Sequence, residues 1–313
     1  MSLLQIEDLQ VSFETRGGTV RAVDHFSLSM PEEETLALIG ETGCGKSVVA
    51  NSILRLLPDN ARIDGAIDFD GRNLLTCNES MMSSIRGQEI AIIFQNPSLS
   101  LNPVYSIGHQ VGEPFRFHRH FSWSSALSEA QILLERMGFE RPASAIRMYP
   151  FQFSGGMNQR ALIATAFALK PRLVLADEPT RGLDRELADD IVRQLDMVKD
   201  RVSSLLLITH DLRLARRISK RTTVMYAGQI VELSPTSLFF ENPLHPYARG
   251  LLGSLPENGF RPIPGFSPSM IHPPTGCRFH PRCSSVMKRC SSERPPLFDV
   301  RGRQVRCFLF DPS

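Results

Sequence analysis

An eight-residue motif in the first quarter of the chain has the composition of a phosphate-binding loop. It reads Gly40-Glu41-Thr42-Gly43-Cys44-Gly45-Lys46-Ser47. The pattern G-x-x-x-x-G-K-[ST] places backbone N–H groups around phosphate oxygens, and the helix that follows adds its positive end. An apolar run at 35–39 precedes the motif, and residues with helical spacing follow it up to Pro58. Lys46 is expected to reach the β- and γ-phosphates and Ser47 to ligate Mg²⁺. The alternative is a glycine-rich turn that carries Lys and Ser by chance.

An acidic pair in the second half of the chain has the residue types that such a site also needs. Asp177 and Glu178 directly follow the apolar run 173–176. Ligands of open α/β sheets bind at the carboxyl ends of the strands. Asp177 is therefore expected to hold the metal, directly or through water, and Glu178 to orient or deprotonate the attacking water. An acidic pair after a strand is more often a solvated corner, but the phosphate loop favours the catalytic interpretation.

A Ser-Gly-Gly segment, Ser154-Gly155-Gly156, opens a helical run that continues to Leu169. Together with the two motifs above, it resembles the signature segment of the ABC-type ATPases. That family assembles as a head-to-tail dimer, so the resemblance implies that these three residues bind the γ-phosphate of ATP held by the partner subunit. The reason is again a helix N-terminus with N–H donors. Met157 stands where the family often has glutamine.

Further positions match the family in the same order along the chain. The resemblance implies that Gln95 contacts Mg²⁺ and water and reports to the membrane subunit, that Asp184 couples the two ATP sites, and that His210 contacts the γ-phosphate. Phe13 would stack on adenine, although a core position is its commoner role. The residues thus expected to contact ATP are Phe13, Gly40, Glu41, Thr42, Gly43, Cys44, Gly45, Lys46, Ser47, Val48, Gln95, Asp177 and His210. Those expected to take part in catalysis are Lys46, Gln95, Glu178 and His210, and the expected Mg²⁺ ligands are Ser47, Gln95 and Asp177.

Three segments make the chain similar to the ATP-binding subunits of oligopeptide, dipeptide and nickel importers. They are residues 95–103, 242–247 and 264–283. The resemblance implies ATP hydrolysis that drives peptide uptake across the cytoplasmic membrane. A nickel or metallophore importer is the alternative, and a soluble ABC ATPase that acts on nucleic acid is a further one.

The same resemblance implies a set of partners. They are a paralogous ATPase subunit (or a second copy of this chain), two integral membrane permease subunits and, indirectly, an extracytoplasmic substrate-binding protein. No nucleic acid partner is expected, because 35 Lys and Arg against 33 Asp and Glu leave a formal net charge of only +2.

Four of the six cysteines lie in the last forty residues. Their spacings of five, six and sixteen residues lack the two-residue spacing of most structural zinc sites. Four thiolates could ligate a [4Fe–4S] cluster, which members of the family that this chain resembles can carry. Zinc and four unligated thiols remain alternatives. The residues concerned are Cys277, Cys283, Cys290 and Cys307.

Cys44 is a separate case, because it lies within the phosphate loop near the start of a helix. A helix N-terminus lowers the pKa of a thiol, so alkylation of Cys44 is expected to block turnover and bound nucleotide to protect it. A passive role as a small residue is equally compatible with the motif.

The elements that position these residues predict an α/β fold. With 313 residues, 42% of them hydrophobic, the chain is neither disordered nor a disulfide-dense scaffold. The expected architecture is an ABC-type nucleotide-binding domain with a parallel core sheet, an antiparallel N-terminal sheet, an inserted helical subdomain and a loop-rich cysteine tail. The expected boundaries are 1–97 with 157–235 for the core, 98–156 for the insert and 236–313 for the tail. The chain has neither an apolar run of about 18 residues nor a signal pattern at its start, which predicts that it stays in the cytoplasm. The resemblance to importer subunits implies a place on the cytoplasmic face of the membrane.

Overall fold

The computed structural model describes residues 2–182, 185–199 and 204–312. The chain forms two compact units, Met1–Thr76 with Ile208–Ser313 and Cys77–Leu207, called here the first and the second unit. These units divide the chain at other residues than the predicted domains do, and the predicted boundaries stay predictions.

Strands and helices alternate along most of the chain. The strands are β1 (Ser2–Thr15), β2 (Gly18–Pro31), β3 (Thr35–Ile39), β4 (Ala61–Phe69), β5 (Arg72–Asn73), β6 (Ile90–Ile93), β7 (Leu173–Asp177), β8 (Ser204–Thr209), β9 (Arg221–Tyr226), β10 (Gln229–Pro235), β11 (Phe298–Val300) and β12 (Arg303–Val305). The helices are α1 (Lys46–Ile53), α2 (Glu79–Ile85), α3 (Pro97–Ser100), α4 (Ile107–Arg119), α5 (Trp123–Arg136), α6 (Pro142–Ala145), α7 (Gly155–Ala166), α8 (Arg185–Lys199), α9 (Leu212–Ile218), α10 (Thr236–Glu241) and α11 (Pro246–Gly253).

The first unit contains the predicted antiparallel N-terminal sheet. Its strand order is β2-β1-β4-β5, and each neighbouring pair is antiparallel. Alternate residues of β1, such as Leu4 and Ile6, are buried while Gln5 and Glu7 are exposed, as expected for a sheet with one face on the core.

A second, mixed sheet of the first unit carries the phosphate loop. β3 pairs with β9 in parallel, and β10, β12 and β11 follow as antiparallel neighbours. Every residue of β3 is buried, which explains its unbroken apolar run, because a strand covered on both faces does not alternate.

The C-terminal extension, residues 236–313, contains more regular structure than a loop-rich tail. β12 extends the mixed sheet, and α10, α11 and Phe279 share a hydrophobic core with β3, β9 and α9. Strands of three residues are too short to show a period in the sequence, which is why the extension reads as irregular.

The second unit contains the parallel pair β6 and β7 together with helices α2 to α8. Serine hydroxyl groups cap three of these helices, because they accept hydrogen bonds from N–H groups that the first turn leaves without a backbone partner. The capping residues are Ser106 for α4, Ser122 for α5 and Ser154 for α7.

Among the helices of the described residues, none combines the length and the apolar character that crossing a lipid bilayer requires.

Candidate functional site

The phosphate loop joins β3 to α1 and has the backbone that only glycine permits. Gly40, Gly43 and Gly45 have φ values of 157°, 82° and 107°. A Cβ atom on Gly40 would lie 2.2 Å from the carbonyl oxygen of Met225, and one on Gly45 would lie 2.2 Å from that of Ala22. Gly40 and Gly45 are therefore required by the close packing of this loop as well as by its turn, and Gly43 by its positive φ alone.

The Lys46 ammonium lies inside the loop that it follows. Its Nζ donates to the carbonyl oxygens of Gly40 at 2.8 Å and Glu41 at 3.0 Å, and the residue is buried. Ser47 lies in the first turn of α1, where no side chain of the described residues caps the helix. The loop thus holds a cation beside helix N–H donors, which is the arrangement that binds phosphate.

The expected lowering of the Cys44 thiol pKa is not found, while the expected block of turnover by alkylation stays a prediction. The residue is 5% exposed, and burial raises the pKa of its thiol, against an opposing effect of nearby Lys46. Desolvation of the thiolate outweighs the helix N-terminus here.

We therefore expect Cys44 to react with iodoacetamide at least about tenfold more slowly than half-buried Cys77, because the loop must open before the buried thiol is reached. Mass spectrometry of both peptides at timed intervals measures the two rates. Cys77 is the internal control, and equal rates would contradict this expectation.

In the second unit, Asp177 and Glu178 lie at the carboxyl end of β7, as predicted. Both are buried, and Glu178 has a φ of 49°, a conformation that costs a non-glycine residue energy and is concentrated at functional sites. Gln95 follows β6, the parallel neighbour of β7.

Arg181 connects these two strand ends, which sequence reasoning did not anticipate. With the amide of Gln95 oriented by its partners, its oxygen accepts hydrogen bonds from Arg181 Nε at 3.1 Å and from Nη1. The backbone N–H of Arg181 donates to the carbonyl oxygen of Glu178 at 3.0 Å. The Gln95 oxygen that is expected to ligate Mg²⁺ thus accepts from Arg181 in this structure.

The other expected ATP contacts lie at accessible positions. His210 is exposed directly after β8, and the cap of α9 is the neighbouring Asp211, whose Oδ1 accepts from the N–H of Arg213 at 2.8 Å. Phe13 is half-buried on β1. Val48 is half-buried in α1.

At the start of α7, Ser154 Oγ accepts from the N–H of Met157 at 3.2 Å. Ser154 and Gly155 are exposed and Gly156 is buried. A Cβ atom on Gly155 would meet no described atom within 4 Å. This helix end is thus open to a ligand, as the signature role requires. Asp184, expected to act in the same partner contact, lies outside the described residues.

All four cysteines of the C-terminal extension line one cavity, together with His245, Phe279 and Phe308. None of these four cysteines forms a disulfide bond. Burial, and then the neighbouring cysteines, raise the pKa of Cys277 to about 11. Burial also lowers the pKa of His245 to about 3, so its neutral ring accepts at Nδ1 from the N–H of Tyr247. The structure thus brings the four cysteines together, and their role as ligands stays a prediction.

Two buried charge networks attach the extension to the strands of the first unit. The fully buried Glu232 of β10 accepts from Arg303 at 2.8 Å and from the N–H groups of Leu244 and His245 at 2.9 and 2.8 Å. Asp24 of β2 pairs with Arg278 at 2.8 Å. Burial is the largest effect on the pKa of Asp24 and raises it. The hydrogen bond from Gln229 and the nearby arginines together outweigh burial, so the pKa of Asp24 lies below its usual value.

Comparison with known proteins agrees with both parts of the site. The family model described as ABC transporter matches residues 23–181, and the model described as oligopeptide/dipeptide transporter, C-terminal region, matches residues 231–290. The dipeptide transport ATP-binding protein DppD of Bacillus subtilis is 40% identical, over 99% of this chain and 95% of its own length. The oligopeptide transport ATP-binding protein OppD of the same organism is 39% identical, over 99% and 90%.

Solved structures extend the agreement to the fold. The ATP-binding cassette MJ0796, in a dimeric structure bound to ADP and Pi, superposes with a TM-score of 0.67 at 24% identity, covering 74% of this chain and 98% of that one. Among the sequence relatives, a protein of Brucella melitensis named as a peptide import ATP-binding protein is 41% identical over 97% of this chain and 94% of its own length. The chain belongs to the ATPases of the ABC transporter family, among the oligopeptide and dipeptide transport ATP-binding proteins.

Proposed function

We propose that this chain hydrolyses ATP as the nucleotide-binding subunit of an importer that carries dipeptides or oligopeptides across the cytoplasmic membrane. The observation that carries the proposal is the phosphate loop, whose glycine conformations, buried Lys46 and open helix start form a phosphate cradle in a chain of this family. The relatives named above support peptides as the cargo. In this proposal the other subunits select the cargo, so the ATPase residues described here do not separate a peptide importer from a nickel importer.

Catalysis in this proposal is mainly positioning and charge stabilisation. Lys46 would bind the β- and γ-phosphates, and Ser47 would ligate Mg²⁺. Asp177 would hold the metal, and Gln95 would contact both the metal and the attacking water. Glu178 is the general base, and His210 contacts the γ-phosphate. The γ-phosphate of the ATP held by a partner ATPase subunit binds to Ser154, Gly155 and Gly156. Asp184 couples the two ATP sites. Phe13 stacks on the adenine.

The proposed partners are a paralogous ATPase or a second copy of this chain, two permease subunits in the membrane and an extracytoplasmic binding protein. This places the chain on the cytoplasmic face of the membrane. The test is purification of the affinity-tagged chain from detergent-solubilised membranes, followed by identification of the co-purifying subunits and measurement of ATPase activity with added peptides and with Ni²⁺. Recovery with permeases and stimulation by peptides support the proposal; stimulation by Ni²⁺ alone or recovery with nucleic acid overturns it.

We also propose that Cys277, Cys283, Cys290 and Cys307 hold a [4Fe–4S] cluster. The donor set fits, because the four thiols line one cavity with largely apolar walls. Burial raises the pKa of Cys277, Cys283 and Cys307, so thiolates would be favoured there only with the positive charge of a bound metal beside them.

The charges around the cavity also fit an anionic occupant. Arg306 is buried beside Cys307 and donates to the carbonyl oxygens of Ile230 and Pro295, and the described ion pairs include no partner for it. Burial and the nearby Arg294 lower the pKa of Arg306 to about 10, a cost that the negative charge of four thiolates would relieve.

When bound, such a cluster would cross-link the extension and could exchange an electron. The measurement is iron and acid-labile sulfide in chain purified without oxygen, with about four of each per chain expected. Cys290→Ser should lose most of both, and Cys77→Ser, a cysteine outside the cavity, should lose neither. Stoichiometric zinc, or full iron content in Cys290→Ser, would overturn the assignment.

A further inference from the structure

The carboxylate of Glu41, the first variable residue of the phosphate loop, is held by the C-terminal extension. Arg282 donates to it through two nitrogens, Nη1 to Oε2 at 2.9 Å and Nη2 to Oε1 at 3.1 Å, and Ser267 Oγ donates to Oε2. The Arg282 side chain is 7% exposed and that of Glu41 25%. A two-point pair with so little exposure is shielded from water and fixes geometry as well as charge.

Arg282 is itself held in place before it reaches the loop. Its Nε donates to the carbonyl oxygen of Pro264 at 2.9 Å, and its guanidinium lies 5.8 Å from the ring centre of Tyr226 and 6.0 Å from that of Phe279. Tyr226 packs on Tyr247 with ring centres 4.5 Å apart, and Tyr247 Oη accepts from the backbone N–H of Glu41 at 2.9 Å. The extension therefore fixes both the backbone and the side chain of this loop residue.

The extension also forms one wall of a cavity beside the loop. Residues 41–44 line it together with Tyr226, Ala227 and three residues of the extension, Ser267, Pro268 and Met270. On its other side, Arg282 precedes Cys283 and ends the short helical turn that begins at His280, whose N–H donates to the carbonyl oxygen of Cys277. Arg282 is thus continuous with the cysteine cavity and in contact with the phosphate loop.

The negative charge of Glu41 lies in the part of the loop that holds Lys46, since the backbone carbonyl oxygen of Glu41 accepts from Lys46 Nζ. A carboxylate in this loop repels phosphate oxygens, and a neighbouring guanidinium offsets that repulsion. We propose that Arg282 is a positioning residue for nucleotide binding, which holds and neutralises Glu41 and so makes the affinity of the phosphate loop depend on the C-terminal extension. The inference rests on the proposed role of this loop as the nucleotide site.

The test is titration of the full-length chain with the fluorescent analogue mant-ATP and Mg²⁺. Arg282→Ala should raise Kd on the order of tenfold, within the usual range for coupling between sites. Arg282→Lys keeps the charge but not the planar fork of the guanidinium, so its Kd should lie between those of the unmodified chain and Arg282→Ala. In the Glu41→Gln background, the same Arg282→Ala change should raise Kd less than about twofold, because the charge that Arg282 offsets is gone.

Two further variants make the result decisive. Arg289→Ala removes an ion pair with Asp311 elsewhere in the extension, and should leave Kd unchanged. Lys46→Ala should abolish binding; if it does not, both the loop assignment and this inference fail. If Lys46→Ala abolishes binding but Arg282→Ala has no effect, or has an equal effect with and without Glu41, only the role of Arg282 is overturned. Thermal unfolding of each variant identifies any that fail to fold, and Arg282→Lys then carries the comparison.

Discussion

Replacing Glu178 by glutamine is expected to leave ATP binding intact and to reduce ATP hydrolysis by roughly 10²- to 10⁴-fold, the usual contribution of a positioned general base. The side chain is buried at the end of β7, on a backbone with positive φ. Glutamine has the same shape and hydrogen-bonding reach but cannot accept a proton from water. Phosphate release measures turnover, and mant-ATP titration measures binding.

Glu135→Gln is a matched control, since Glu135 is an exposed carboxylate on α5 of the same unit. It should change neither quantity. Near-normal hydrolysis by Glu178→Gln would show that another group activates the water, while loss of binding would assign Glu178 to the nucleotide contact.

A second large effect is expected on stability. Glu232→Ala should lower the free energy of unfolding by about 3–5 kcal/mol, because it leaves the Arg303 guanidinium buried without its carboxylate. It also removes the acceptor of two backbone N–H groups at the start of α11. Urea unfolding of the purified chain measures the loss.

The comparison variant is Glu257→Ala. Glu257 also pairs with an arginine, Arg213, at 2.9 Å, but both side chains are largely exposed, and exposed pairs contribute little. Its unfolding midpoint should stay close to that of the unmodified chain. Equal losses in the two variants would mean that burial of the Glu232 pair does not contribute to stability.

Sequence motifs predicted the parts of the site that are formed by residues close together in the chain. The phosphate loop needs β3, three glycines with positive φ and α1, which are contiguous in the sequence, so the motif and its flanks predicted them together. The positions of Asp177 and Glu178 followed likewise from one apolar run that ends in two acids.

Contacts between distant residues could not be predicted in this way. Arg282 lies 241 residues from Glu41 along the chain, and nothing in the local pattern of either residue indicates the other. The direction of the Cys44 pKa shift was missed for the same reason, because the helix start is visible in the sequence but the burial that raises this pKa is not. The four C-terminal cysteines are close in sequence and line one cavity in the structure, and what that cavity holds stays a prediction.

The position of Lys46 has a consequence for how easily the loop exchanges its ligand. Its ammonium already has two carbonyl acceptors inside the loop, so an arriving phosphate replaces existing partners instead of meeting a bare charge. The net gain is then the difference between two sets of hydrogen bonds, which is much smaller than either set. A loop with a small net gain on binding also holds its product weakly, which favours release after each round of hydrolysis.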